Sequence, residues 1–204
     1  MKTNPIKLPD WRIAAVVLAI IITAAGIFGW LALPAHGDDS SLWRWFDLDR
    51  ELNLTTFFSA GLLLVNAWLV MQLIKAGHTG RLAIGLMAIF LLMGFDEVLK
   101  FHETLEKVSG IDWQILYLPI ILFAGVAWVS VWLNCRDLTR ALWTGGAFAW
   151  GASQFLEAAQ WGFFGTEKAD NYNVSMVAEE VLEMIGSSMF LLALLRLLAA
   201  ARKS

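Results

Sequence analysis

The sequence is poor in charged residues. It has 15 Lys and Arg and 18 Asp and Glu among 204 residues, or 16%, and 58% of the chain is apolar. A typical soluble domain carries about 25% charge, so a soluble fold of this length could not cover its surface with polar groups. The scarcity of charge, and of basic residues in particular, excludes a nucleic-acid binder and a disordered chain.

Cysteine and the common catalytic motifs are also scarce. The single cysteine, Cys135, excludes a disulfide-stapled secreted module. The sequence contains no Walker loop, GxSxG, HExxH or CxxC motif. It also lacks the Ser-His-Asp and Cys-His sets of nucleophilic enzymes, so no known reaction is indicated.

Long apolar runs and aromatic residues are abundant instead. About 20 apolar residues cross a bilayer core, and Trp collects at membrane–water interfaces. The chain has 11 Trp and 13 Phe, and six of its segments are long enough to span. We therefore predict an all-α fold, a polytopic membrane helix bundle forming a single domain over residues 1–204. Its six transmembrane helices are predicted at 12–33, 55–74, 82–101, 113–133, 142–161 and 175–195.

The distribution of Lys and Arg predicts the orientation of these spans. The N-terminus, the 75–81 loop, the 134–141 loop and the C-terminus hold ten of these residues, and the other loops hold four. Cytoplasmic loops carry the excess of positive charge, so both termini are predicted to lie inside. Six tryptophans at span ends are interpreted as interface anchors: Trp11, Trp30, Trp113, Trp132, Trp143 and Trp161.

Other mid-span residues are interpreted as packing features. Trp68 and Trp150 are predicted to pack between helices, and Asn66 to bridge two of them. Small residues on the fifth and sixth spans permit close helix contact, namely Gly145, Gly146, Gly151, Gly186, Ser187 and Ser188.

Acidic residues gather at the predicted outer ends of three spans. We call these seven residues the acidic layer: Asp96, Glu97, Glu103, Glu157, Glu179, Glu180 and Glu183. Charge inside a membrane is costly, so each residue is a functional hypothesis. The inner halves of the same spans carry almost no charge, which predicts that the function is located in the outer half.

Helical spacing divides the run DEVLKFHE at residues 96–103. Asp96, Lys100 and Glu103 share one helical face, whereas His102 points a quarter turn or more away from it. One compact site that uses all four functional residues of this run therefore requires a distorted helix or separate roles for each of them.

The excess of acids over Lys100 needs compensation in a low-dielectric layer. Bound metal cations, protonated carboxyls and a water-filled vestibule are three alternatives. Inward-facing Asp, Glu and His are typical of metal sites in helix bundles, which predicts one or more divalent metal ions with Lys100 as an electrostatic partner. The usual ExxH spacing is absent, because Leu99 stands three residues before His102. The alternative is that the acids are solvated at the membrane surface.

Three runs resemble a family of uncharacterised bacterial multi-pass membrane proteins: FDLDRELNLTTFFS at 46–59, GFDEVLKFHE at 94–103 and EEVLEMIG at 179–186. That family combines an acidic-x-Asn segment before the second span with a DE-x4-HE motif in a later one. Thr55 stands where the family has a proline. The resemblance implies the bacterial inner membrane but no activity. It marks Glu51, Asn53, Asp96, Glu97, His102, Glu103, Glu180 and Glu183, and it is the reason for including Glu51 among the predicted metal ligands. The predicted metal ligands are Glu51, Asp96, Glu97, His102, Glu103, Glu157, Glu180 and Glu183.

Three functions remain open. The first is a metal-binding membrane protein or metal-dependent enzyme with a periplasm-facing site, for which an apolar substrate from the lipid suits the location. The second is a proton- or cation-coupled transporter. The inner halves of the spans carry almost no charge, so no polar path crosses the membrane, which argues against this function. The third is a non-catalytic subunit or assembly factor. The predicted partners are the lipid bilayer and, for the third function, other membrane subunits, but no nucleic acid.

The metal hypothesis predicts stoichiometric metal in protein purified in mild detergent. The variant Asp96→Asn/Glu183→Gln should lose that metal, because two anionic ligands are replaced by neutral amides. Elemental analysis of both proteins is the measurement. Metal-free native protein with an intact helical signal would contradict the hypothesis.

Overall fold

A computed structural model describes residues 8–35, 42–48, 50, 52–78, 80–160 and 172–202. Every regular element in these ranges is helical, so the all-α prediction is confirmed. The α-helices are α1 (Trp11–Ala32), α2 (Leu54–Lys75), α3 (Leu82–Leu99), α4 (Phe101–Ser109), α5 (Trp113–Leu116), α6 (Leu118–Asn134), α7 (Asp137–Gln160) and α8 (Tyr172–Ala201). Short 3-10 turns cover Leu33–Ala35 and Leu42–Trp45.

Four helices, α1, α2, α3 and α8, are long and apolar enough to cross a membrane. Helix α6 is apolar but shorter, at 17 residues. Helix α7 has 24 residues but carries polar side chains along its length, among them Arg140, Gln154 and Glu157. The chain is thus a membrane helix bundle, whereas the six-span count and the orientation stay predictions.

The side chain of Asn53 fixes the start of α2. Its Oδ1 accepts hydrogen bonds from the backbone N–H of Thr56 at 2.7 Å and from the hydroxyl of Thr55 at 2.6 Å. Its Nδ2 donates to the backbone oxygens of Asp47 at 2.7 Å and Arg50 at 2.8 Å. Asn53 is therefore an N-cap that also ties the preceding loop to the helix.

The predicted third span ends earlier than expected. Lys100 has a positive φ of 52°, which terminates α3 at Leu99 and starts α4 in a new direction. A residue with a side chain seldom adopts this left-handed conformation unless its surroundings hold it there. The helix is therefore broken between Asp96 and His102, two residues that a straight helix would keep on different faces.

The predicted fourth span is divided into α5 and α6 at Tyr117. Asp112 caps α5 by accepting a hydrogen bond from the backbone N–H of Gln114 at 2.8 Å. Pro119 lies in the first turn of α6, where its missing N–H leaves no helical hydrogen bond unmade. The segment predicted as the fourth span, 113–133, therefore consists of two helices, and its crossing of the membrane stays a prediction.

The tightest helix contact is between α7 and α8, which meet at glycines. A Cβ on Gly146 would lie 3.1 Å from the backbone oxygen of Gly186, and a Cβ on Gly145 would collide with Met189. Gly151 also lies on α7, but a Cβ there would meet nothing within 4 Å. The packing interpretation is confirmed for Gly145, Gly146 and Gly186 but not for Gly151.

Two further packing predictions are confirmed. Asn66 bridges α2 and α8, because its Nδ2 donates to the backbone oxygen of Ser187 at 2.9 Å. Trp150 packs in the core and donates to the Ser187 hydroxyl at 3.1 Å. The interpretation of Trp143 as an interface anchor is wrong, since this residue is 0% exposed and its ring packs against Phe190. Trp161 lies outside the described residues.

The α7–α8 contact predicts opposite effects for two Gly→Ala substitutions. Gly146→Ala should lower the free energy of unfolding by about 1–3 kcal/mol, because the new methyl group overpacks the interface. Gly61→Ala in α2 should leave it unchanged or raise it by up to about 1 kcal/mol, because alanine favours helix over glycine. A Cβ at Gly61 meets nothing within 4 Å.

Thermal unfolding of both variants in the same mild detergent measures this difference. Equal stability of the two variants would contradict the described α7–α8 contact.

Candidate functional site

The helices surround a cavity of about 880 Å³, which is lined by residues of α3 to α8, by Thr56 of α2 and by Leu48 and Arg50 before it. One end is apolar and includes Phe90, Trp128, Trp143 and Phe190. The other end is lined by all seven residues of the acidic layer, together with Lys100 and His102. The cavity is therefore lined by Lys100 and by all the predicted metal ligands that the structure describes, whereas Asn53 caps α2 and does not line it. Glu51 lies outside the described residues.

The break at Lys100 turns His102 back towards Asp96. Nδ1 of His102 lies 2.6 Å from Oδ2 of Asp96, and the backbone N–H of His102 donates to Oδ1 at 3.0 Å. The carboxylate thus binds the ring of His102 and caps the first turn of α4 at once. Tyr117 adds a third hydrogen bond to Asp96, at 3.3 Å. The ring of His102 also contacts that of Trp113, with centroids 5.1 Å apart.

Glu103 forms ion pairs with two lysines that are close to it in the sequence, Lys100 and Lys107. Its two carboxylate oxygens lie 2.7 Å from Nζ of Lys100 and 2.8 Å from Nζ of Lys107. The helical face that Asp96 was expected to share with Lys100 and Glu103 is therefore divided. Asp96 interacts with His102, and Lys100 with Glu103.

The acids of α7 and α8 receive hydrogen bonds from neutral side chains. Nε1 of Trp113 donates to Oε1 of Glu157 at 2.9 Å, and Nε2 of Gln114 approaches Oε2 at 3.3 Å. Gln154 donates to Glu183 at 3.2 Å. Neutral donors orient these carboxyl groups without cancelling a negative charge.

Glu97 and Glu180 differ from the other acids. Both line the cavity, and each lies within electrostatic range of the other and of Lys100. In the described ranges, no side chain donates a hydrogen bond to either carboxyl group.

The predicted metal ligands do not converge on one point. In the part of the chain that the structure describes, no group of three or more His, Cys, Asp or Glu side chains could hold a metal ion. Asp96 and Glu103 already have partners within the protein. The predicted divalent metal ion thus stays a prediction and gains no support from this geometry.

Sequence reasoning missed three residues of this site: Trp113, Gln114 and Tyr117. Trp113 was interpreted as an interface anchor because it begins an apolar run. The signal that could have found them is the sequence DWQILYLP at 112–119, where Asp112 can cap a helix and Pro119 restarts one. This break turns α5 towards α7.

Apolar helices around a cavity with one polar end define a membrane helix bundle with an internal cavity. The chain belongs to the family described as Domain of unknown function (DUF8692), which it matches over residues 13–198. No curated protein and no solved structure matches it.

The Asp96–His102 pair predicts pH-dependent stability. Burial lowers the pKa of His102, but the hydrogen bond and negative charge of Asp96 outweigh it, so the pKa lies above its ordinary value. The protonated pair therefore stabilises the fold fully below the unfolded pKa of about 6.5. This contribution is lost as the pH rises through the raised, folded pKa.

We expect the melting temperature in detergent to decrease from pH 6 to pH 8, and the variant His102→Gln to lose most of that decrease. His78→Gln, in the exposed turn after α2, is the control and should behave like the native protein. A native decrease that persists in His102→Gln would contradict the assignment.

Proposed function

We propose that this chain is a six-span protein of the bacterial inner membrane that binds an amphiphile with a cationic head group. Both termini lie inside, and the acidic layer lies in the periplasmic half. The head group binds at the acidic layer, and the apolar part of the ligand lies among the aromatic residues at the other end of the cavity.

The two-ended lining of the cavity is the observation that carries this proposal. Ligand sites of small molecules typically measure about 300–1,000 Å³ and combine an apolar wall with a few convergent polar groups. The cavity fits that description, with a volume of about 880 Å³. An amphiphile satisfies both ends at once, whereas a purely polar ligand would leave the aromatic end unfilled.

The charges at the acidic end favour a cation over an anion. Among the described residues, seven acids line the cavity, against the basic residues Arg50, Lys100 and His102. Among the residues that the structure describes, no side chain donates a hydrogen bond to Glu97 or Glu180, and an ammonium group supplies three donors. Trp113 and Tyr117 line the same end, where their ring faces attract positive charge.

Three other predicted functions have less support. No metal-holding group occurs among the described residues, so no step of this proposal passes through a metal ion. The polar lining gathers at one end of the cavity, which favours binding over transport across the membrane. Docking to another membrane subunit stays a prediction.

Three probes with the same number of carbon atoms and different head groups test the head-group preference: hexadecylamine, hexadecanol and palmitic acid. Hydrogen bonds to charged groups contribute about 1.5–3 kcal/mol, so the amine should bind roughly 10- to 100-fold more tightly than the alcohol. Native mass spectrometry or calorimetry on protein in lipid nanodiscs measures the three Kd values.

The variant Glu97→Gln/Glu180→Gln should lose the amine preference and keep its affinity for the alcohol. Glu106→Gln is the matched control, because Glu106 is exposed on α4 and does not line the cavity. Failure of all three probes to bind would overturn the proposed function. Tighter binding of palmitic acid would overturn the cationic head group.

A further inference from the structure

Helices α6 and α7 are held together at the apolar end of the cavity by a reciprocal pair of hydrogen bonds. Nε1 of Trp128 donates to the backbone oxygen of Trp143 at 3.2 Å, and Nε1 of Trp143 donates to that of Trp128 at 3.1 Å. Trp132 adds a hydrogen bond to Thr144 at 3.1 Å. This junction closes the side of the cavity at its apolar end.

A second junction closes the same side at the acidic end. It is formed by α5 and α7, where Trp113 and Gln114 contact Glu157 and Gln154. Helix α6 itself has few contacts with α7. Helix α7 is therefore hydrogen-bonded to α6 at the apolar end of the cavity and to α5 at its acidic end, and α6 and α7 separate between these junctions.

The separated stretch carries small residues. Ala124 and Gly125 on α6 and Ala147 and Gly151 on α7 line the cavity there. Gly125 and Gly151 are exposed, and a Cβ on either would meet nothing within 4 Å. The wall of the cavity thus contains an opening between α6 and α7, which we call the side opening and define by Gly125 and Gly151.

The surface around the side opening is apolar. Leu122 and Val126 are 64% and 57% exposed on α6, and Phe148 and Phe155 are 79% and 61% exposed on α7. In a membrane bundle such residues face lipid tails. Gly151 lies six residues before Glu157, or about 9 Å along the helix axis. In the six-span arrangement proposed above, the opening therefore lies deeper in the bilayer than the acids.

From this geometry we infer that the ligand enters sideways from the bilayer through the side opening, with its alkyl chain passing between Gly125 and Gly151. This inference rests on the proposed function and narrows its ligand to a membrane-resident lipid. The occupant of the opening is the alkyl chain of that lipid, because the opening is continuous with the cavity whose far end binds the head group.

Substitutions that fill the side opening test the route. In Gly125→Leu/Gly151→Leu, the association rate of hexadecylamine delivered from lipid vesicles should fall by about tenfold or more. Gly61→Leu is the matched control, since a Cβ at Gly61 also meets nothing within 4 Å but does not line the cavity. The control should associate at the native rate.

An unchanged association rate in the filled variant would overturn the side opening and leave the proposed function standing. Lack of hexadecylamine binding by the native protein would overturn the proposed function instead. The two failures are therefore distinguishable.

A cysteine-labelling experiment keeps the inference falsifiable if the leucine variants do not fold. Gly151→Cys is made in a Cys135→Ser background and labelled with N-ethylmaleimide in nanodiscs. Hexadecylamine should slow the labelling by several-fold, because its chain covers the thiol. Gly61→Cys in the same background should be labelled at the same rate with and without the amine, and lack of protection at Gly151→Cys would overturn the inference.

Discussion

The close approach of α7 and α8 at Gly146 and Gly186 determines the arrangement of the acidic end. A side chain at either glycine would separate the two helix backbones. With the helices in contact, the antiparallel register brings Gln154 opposite Glu183 and Gln160 opposite Glu179. The polar faces of these helices line the acidic end of the cavity, together with residues of α3 and α5. Without the glycine contact, the acids would lie on separate helices instead of in one layer.

Much of the fold and of the site follows from simple periodicity. Apolar length predicts the positions of the helices, and spacing places the acids of three spans at one level. The conformation of Lys100 does not follow, because the Asp96–His102 contact that accompanies it is out of reach in a straight helix. The burial of Trp143 is equally hidden, since an interface tryptophan and a core tryptophan both occur at the end of an apolar run.

The hydrogen bonds divide the acidic layer into groups with different roles. Asp96 orients His102, and Glu103 interacts with two lysines. Glu157 and Glu183 accept hydrogen bonds from neutral side chains. Glu97 and Glu180 have no such partners among the described residues. A count of charges along the sequence treats these residues as equal, and only the backbone path decides which acid finds a partner.

The left-handed backbone at Lys100 has an energetic consequence. This conformation costs a residue with a side chain about 1–2 kcal/mol, whereas glycine adopts it freely. A cation thus occupies a position where glycine would relieve strain. The ion pair with Glu103 and the turn of the chain towards Asp96 come from one residue, so the direction of α4 and the local charge balance cannot be changed independently.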